Sequence, residues 1–145
     1  MIRAHLSQAV QQLWLRENQI FFALTIIIGV LAGLAAVLFS LAISAAATTL
    51  FGLAPSAPRL FLVPPLVSLV TGVLLARFFP GVRGSGVPQT EAAFHLQGGV
   101  IPPSVPLGKF LIGVLCIGSG HSMGREGPSV QIGAGLASVV GQWLR

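Results

Sequence analysis

The chain has 145 residues, 54% of them hydrophobic and 8% charged, with a formal net charge of +5. A soluble domain carries about 25% charged residues, so this balance excludes an ordinary globular domain and marks a membrane protein. The basic residues stand singly rather than gathered on one surface, which argues against a nucleic-acid partner.

Polar residues recur through residues 1–18, and no short apolar stretch there ends at a small-residue cleavage site, so the segment does not read as a signal peptide. Ile2, Leu6, Val10, Leu13 and Trp14 share one helical face, which predicts an amphipathic helix lying on the membrane surface. Residues 20–51 are uncharged and exceed the roughly 20 residues a straight span needs, predicting a long tilted helix. Within it Gly29 and Gly33 form a G-x-x-x-G pair, the pattern of close helix packing. GLAPSAPR (52–59) reads as a turn, and a second span at 60–79 ends at Pro80 and Gly81. Arg3 and Arg16 precede the first span, and Arg77 and Arg83 follow the second. Two crossings put both pairs on one side, the cytoplasmic side by the positive-inside bias.

The periodicity then fails. Residues 81–106 are too polar and too broken to span, and Ser85, Pro88 and Glu91 mark one short helix at 84–95. Two short membrane helices follow at 107–122 and 128–144, each bordered by a glycine-rich break. Interrupted apolar segments point to broken helices whose ends meet at a binding site within the membrane. Irregular backbone survives at that depth only where protein buries it or water reaches it. The expected fold class is an all-α polytopic bundle of tilted and broken helices.

The breaks carry the chemistry. In Gly84-Ser85-Gly86-Val87-Pro88 the proline suits a first helical turn, and the glycines leave backbone amides uncovered. Exposed N–H groups at the positive end of a helix dipole make an anion site, to which the Ser85 hydroxyl adds a neutral donor. A plain N-cap and turn would use the same residues. The second break, Gly124-Arg125-Glu126-Gly127-Pro128, repeats the device with a carboxylate beside it. A charge within the bilayer costs a few kcal/mol or more, so Glu126 needs a reason to be there. Two readings stand: Glu126 occupies an anion's place until it takes up a proton, or it forms a structural ion pair. Arg125 is a poor partner, because adjacent helical residues do not face each other.

Other motifs are weaker. GSGHSMG (118–124) fits neither nucleotide loop, and neither Ser85 nor Ser119 sits in G-x-S-x-G. Ser119 and His121 could hint at a serine protease, but two residues apart on a helix they should not meet. His95 and His121 read as polar loop or helix-end residues rather than ligands. Cys116 stands alone, which excludes a disulfide framework and a cysteine-based metal site, and it reads as a small packing residue. Lys109 either snorkels or adds positive potential near an anion path.

GSGVP (84–88) followed about forty residues later by GREGP (124–128) and VQIG (130–133) resembles the CLC family of chloride channels and chloride/proton antiporters. The resemblance extends over essentially the whole chain and implies the N-terminal part of the CLC fold. Val87 replaces the usual isoleucine. The resemblance implies that Ser85 contributes to chloride coordination, with Gly84, Gly86, Val87, Pro88, Gly124, Arg125, Gly127 and Pro128 forming the backbone of the site. It implies that Glu126 is the gate, which in the antiporters also carries protons, and that the complete family member is a homodimer in a cell membrane, here a bacterial inner membrane. The family's tyrosine ligand and its G-x-F-x-P helix end are both missing from these 145 residues, which hold no Tyr. The expectation is therefore a truncated gene product that is inactive alone, from either a chloride channel or a chloride/proton antiporter, with chloride as its ion and protons as well in the antiporter case, no cofactor, no metal and no covalent chemistry. The alternative is a non-transporting membrane fragment or accessory subunit.

Overall fold

An uncharged run of 40 residues with no proline before Pro55 leaves the backbone one way to satisfy its amides in lipid, and it becomes helix. A computed structural model describes residues 2–54 and 56–144, with side chains described from Gln19 onward. Its elements are α1 (Ile2–Phe51), α2 (Ala57–Arg77), a short 3-10 turn (Pro80–Val82), α3 (Val87–Leu96), α4 (Ser104–Gly118) and α5 (Glu126–Trp143). No strand occurs among the described residues, so the architecture is all-α.

Several boundaries differ from expectation: α2 runs 57–77 rather than 60–79, α3 87–96 rather than 84–95, and α4 begins at 104 rather than 107. α1 is unbroken where a surface helix at 1–18 was expected to give way to a span at 20–51. Arg16-Glu17-Asn18-Gln19 contains neither Gly nor Pro, so nothing in the backbone ends the helix there. The face formed by Ile2, Leu6, Val10, Leu13 and Trp14 lies outside the described side chains. α4 stops at Gly118 rather than 122, because Gly120 at φ +87° turns the chain out of the helix. α5 starts at Glu126 rather than Pro128, which puts the carboxylate in the first helical turn.

Among the described residues two helical segments are long and apolar enough to cross a membrane, Gln19–Phe51 and Ala57–Arg77, and only 6% of each apolar window is buried within the chain. A core helix of a soluble protein would be mostly covered. Here the apolar surface faces outward, as lipid or further protein requires.

α4 and α5 pack against α1 and each other, while α2 packs mainly on α4 and α3 on α5. Phe39 of α1 is fully buried, its ring 5.5 Å from that of Phe110. Glycines on α4 make this approach possible. A Cβ at Gly113 would lie 2.8 Å from the Phe39 ring, and one at Gly118 would lie 2.7 Å from Ala46 Cβ. The G-x-x-x-G pair has no such role within the chain, since a Cβ at Gly29 or Gly33 would meet nothing within 4 Å. Val82, Ile112 and Cys116 form a small core with Leu74, Leu75 and Phe79 beside it, so Cys116 packs as its apolar setting suggests.

Candidate anion site at the two helix breaks

Each break ends in a helix whose first amides have no partner. Before α3 the chain turns through Gly84 (φ +86°) and Gly86 (φ +110°), conformations that side-chain-bearing residues rarely adopt. Gly86 caps the helix without a side chain, and Gln89 does the capping from inside. Its Oε1 accepts the Gly86 N–H at 3.0 Å, and its Nε2 donates to Arg83 O at 2.9 Å. The first main-chain bond of α3 is Thr90 N–H to Gly86 O at 3.0 Å. Pro88 has no N–H, so the Val87 and Gln89 amides remain without an acceptor among the described residues. In α5 the first such bond is Ser129 N–H to Arg125 O, also 3.0 Å, which leaves the Glu126 and Gly127 amides in the same condition. Pro128 again removes a donor that would have had no partner.

The two helix starts touch. A Cβ at Gly127 would lie 2.5 Å from Ser85 O, and one at Gly86 would lie 2.8 Å from Gly127 O. Backbone meets backbone, with no flexible side chain able to move aside, so both positions have to be glycine. Behind them sits Gln131, 2% exposed, with its Oε1 unpaired.

Ser85, Gly84, Lys109, Gly124, Glu126, Gly127 and Pro128 line one cavity of about 710 Å³, together with Ser68, Thr71 and His121. Ser85 and Glu126 are exposed to it. Gly86, Val87, Pro88 and Arg125 do not line it. Gly86 is buried behind the loop, and Arg125 turns to α1, where Nη1 donates to Ser40 Oγ at 3.3 Å. A second, smaller cleft between α3 and α5, about 360 Å³, is lined by no titratable side chain.

Lys109 does not snorkel. It is 4% exposed, and its Nζ donates to Val82 O at 2.9 Å and Gly84 O at 2.7 Å. The ammonium thus ties α4 to the strand of chain leading into Ser85. It also leaves a positive charge in the cavity wall whose partners are neutral carbonyls. Among the described residues, Glu126 is the only carboxylate lining that cavity.

Ser119 and His121 do meet, contrary to the helical spacing argument. Ser119 is the residue at which α4 ends, and Gly120 folds the chain back so that Ser119 Oγ lies 2.9 Å from His121 Nδ1. They do not form a nucleophile and base. Ser119 is fully buried, and its hydroxyl donates to Cys116 O at 2.9 Å. Sequence reasoning also missed Ser68, whose Oγ lies 2.6 Å from His121 Nε2 across 53 positions of chain. No local pattern announces a contact at that separation.

With the breaks paired over one cavity, comparison with known proteins becomes decisive. Residues 67–145 match the family described as Voltage gated chloride channel. The chain belongs to the voltage gated chloride channel family. Among curated relatives, the H(+)/Cl(-) exchange transporter ClcA of Cronobacter sakazakii is 39% identical over 120 residues, covering 77% of this chain and 26% of that protein. ClcA of Klebsiella pneumoniae is 32% identical over 149 residues, covering 96% of this chain and 32% of its own length. ClcA of Salmonella arizonae is 34% identical over 122 residues, with coverage of 79% and 26%. The chain therefore spans between a quarter and a third of the length of these relatives. No solved structure matches it.

Proposed function

We propose that this chain contributes the gated part of a chloride pathway, with Glu126 as the gate and the amides at the start of α5, together with Ser85, as the anion's ligands. The single observation carrying this is the contact of Gly127 with Ser85 O, which sets Ser85 beside the uncapped start of α5 on one cavity. Uncapped amides attract an anion without a full positive charge, and weak donors let it leave again, as conduction requires. The buried Lys109 ammonium adds attraction at longer range. The Glu126 carboxylate stands at the start of α5, where an anion would stand, and competes for the same donors. Proton uptake removes its charge and opens the path. No covalent chemistry, cofactor or metal is part of this function.

The setting is a bacterial inner membrane with the N-terminus in the cytoplasm. Chloride and protons are the transported ions, and the assembled protein is a homodimer. Because these 145 residues hold no Tyr and no G-x-F-x-P, the isolated chain in liposomes should give no chloride flux above empty vesicles. Chloride-selective efflux from the purified chain would show that it builds a pore without those groups.

The gate is tested in a chimera carrying this segment in place of the matching part of the Klebsiella pneumoniae relative. Glu126→Gln keeps the volume and removes the charge, so chloride passage should persist while its dependence on pH disappears. A structural ion pair predicts something else, because stranding a buried partner costs about 3–5 kcal/mol and the variant should then fail to fold. A well-folded variant with unaltered pH dependence would refute the gate.

A further inference from the structure

His121 is a titratable group that the anion site does not use, yet it lines the same cavity as Glu126. Its hydrogen bonds determine where its proton sits. Nδ1 lies 2.9 Å from Cys116 O, and a carbonyl can only accept, so Nδ1 carries the hydrogen. Ser119 Oγ, 2.9 Å away, gives its own hydrogen to Cys116 O and therefore accepts from Nδ1 as well. Nε2 is left with a lone pair, and Ser68 Oγ at 2.6 Å must be the donor to it. Cys116 on α4, Ser119 in the turn after α4 and Ser68 on α2 thus hold the ring in one tautomer, with its basic nitrogen toward an exposed hydroxyl. A serine hydroxyl can reverse its role, donating to neutral imidazole and accepting from imidazolium.

The surroundings permit a charge at this place. α2 presents Ser68 and Thr71 to the cavity, neither of them titratable, with Arg59 at the start of that helix donating to Phe51 O. α1 carries no charged residue between Gln19 and Phe51. α4 contributes the Cys116 thiol and Lys109, whose ammonium is engaged by Val82 O and Gly84 O. α5 contributes Glu126, while Arg125 reaches toward Ser40.

We propose that His121 is a proton-transfer residue for the cavity it shares with Glu126, and this rests on the gate reading of that glutamate. A hydronium ion gives its proton to Nε2 and leaves as water. One N–H bond forms, and the Ser68 hydroxyl turns to accept it. The imidazolium then releases that proton to cavity water, which protonates a Glu126 carboxylate oxygen. Imidazole is regenerated and a neutral carboxylic acid is formed, so the net change is one proton moved from bulk water to the gate.

Two measurements test this. The first is nitrogen NMR of histidine-labelled chain in lipid bilayers, with His5→Gln and His95→Gln removing the other two imidazoles; if that variant fails to insert, the unsubstituted chain is used with His121 assigned by difference. At about pH 9 Nδ1 should be protonated and Nε2 bare, and near pH 5 Nε2 should have gained a hydrogen. An Nε2–H tautomer at high pH, or a ring still neutral at the low one, overturns the proposal. The second is proton flux through the chimera. His121→Gln should slow it about tenfold, and added imidazole should restore it, which a merely structural tie would not allow. In a Glu126→Gln background the same substitution should change nothing further. Unchanged flux in His121→Gln, or a loss that imidazole does not rescue, counts against His121. If Glu126→Gln alone retains pH-dependent flux, the gate reading fails by its own experiment. The transfer step then falls with it, even if the NMR shows the ring taking up a proton.

Discussion

Gly29 and Gly33 in α1, and Gly86 and Gly127 at the breaks, bring the same residue into opposite surroundings. The first pair lies on an uncovered helix face, where a Cβ would meet nothing within 4 Å. The second pair stands where two backbones touch, with carbonyl oxygens 2.5 to 2.8 Å from where a Cβ would be. By sequence Gly29 and Gly33 read as a packing pair and Gly86 and Gly127 as residues that uncover backbone amides, yet it is the second pair that another segment packs against. What decides a glycine's role is what the fold sets against it, and that is invisible from the residue itself.

The contrast is broken most severely at Gly127. Gly127→Ala forces a methyl group against the Ser85 carbonyl, and overpacking in a fixed setting costs about 1–3 kcal/mol or more. Expression and thermal unfolding in detergent should both fall, and anion flux in the chimera should be lost. Gly29→Ala, placed in open space, should instead match the parent chain or exceed it by up to about 1 kcal/mol, the helix preference of alanine over glycine. Equal stability of the two variants would erase the distinction. An effect of the α1 substitution as large as that at Gly127 would show that the α1 face is covered in the assembled protein.

Lys109 offers a sharper and smaller test of the same junction. Lys109→Met keeps the length of the side chain but strands Val82 O and Gly84 O, a loss of about 1–3 kcal/mol. The variant should unfold at lower temperature and pass chloride more slowly, because the loop leading to Ser85 loosens and the positive charge in the cavity wall is gone. Undiminished flux in a folded variant would reduce Lys109 to a structural tie. The least effect is expected at Ser85. One neutral hydrogen bond is worth about 1 kcal/mol, so Ser85→Ala should alter the preference for chloride over nitrate more than the total rate. An unchanged preference would remove Ser85 from the set of ligands.

Much of this protein was legible in the sequence because its signals are local. Uncharged runs longer than a bilayer is thick read as helices, and GSGVP and GREGP read as breaks, since glycine and proline act on their own backbone. The placement of Glu126 beside a helix start could be argued from Pro128 two residues on. Even here the surroundings moved the boundary, since α1 runs on through the polar residues where a surface helix was expected to end.

What the tertiary structure alone decided is everything that depends on two segments meeting. The sequence left Lys109 between snorkelling and an electrostatic role, and its contacts with carbonyls 25 and 27 positions away settled its burial. Ser119 and His121, two positions apart, could not meet on a continuous helix, and they meet because Gly120 ends it. Ser68 gave no signal at all. Helix and turn preferences arise within a few residues and are written there, whereas the meeting of Ser85 with the start of α5 at one cavity follows from how α4 and α5 pack on α1. That packing is a property of shapes in contact, and no single stretch of the chain contains it.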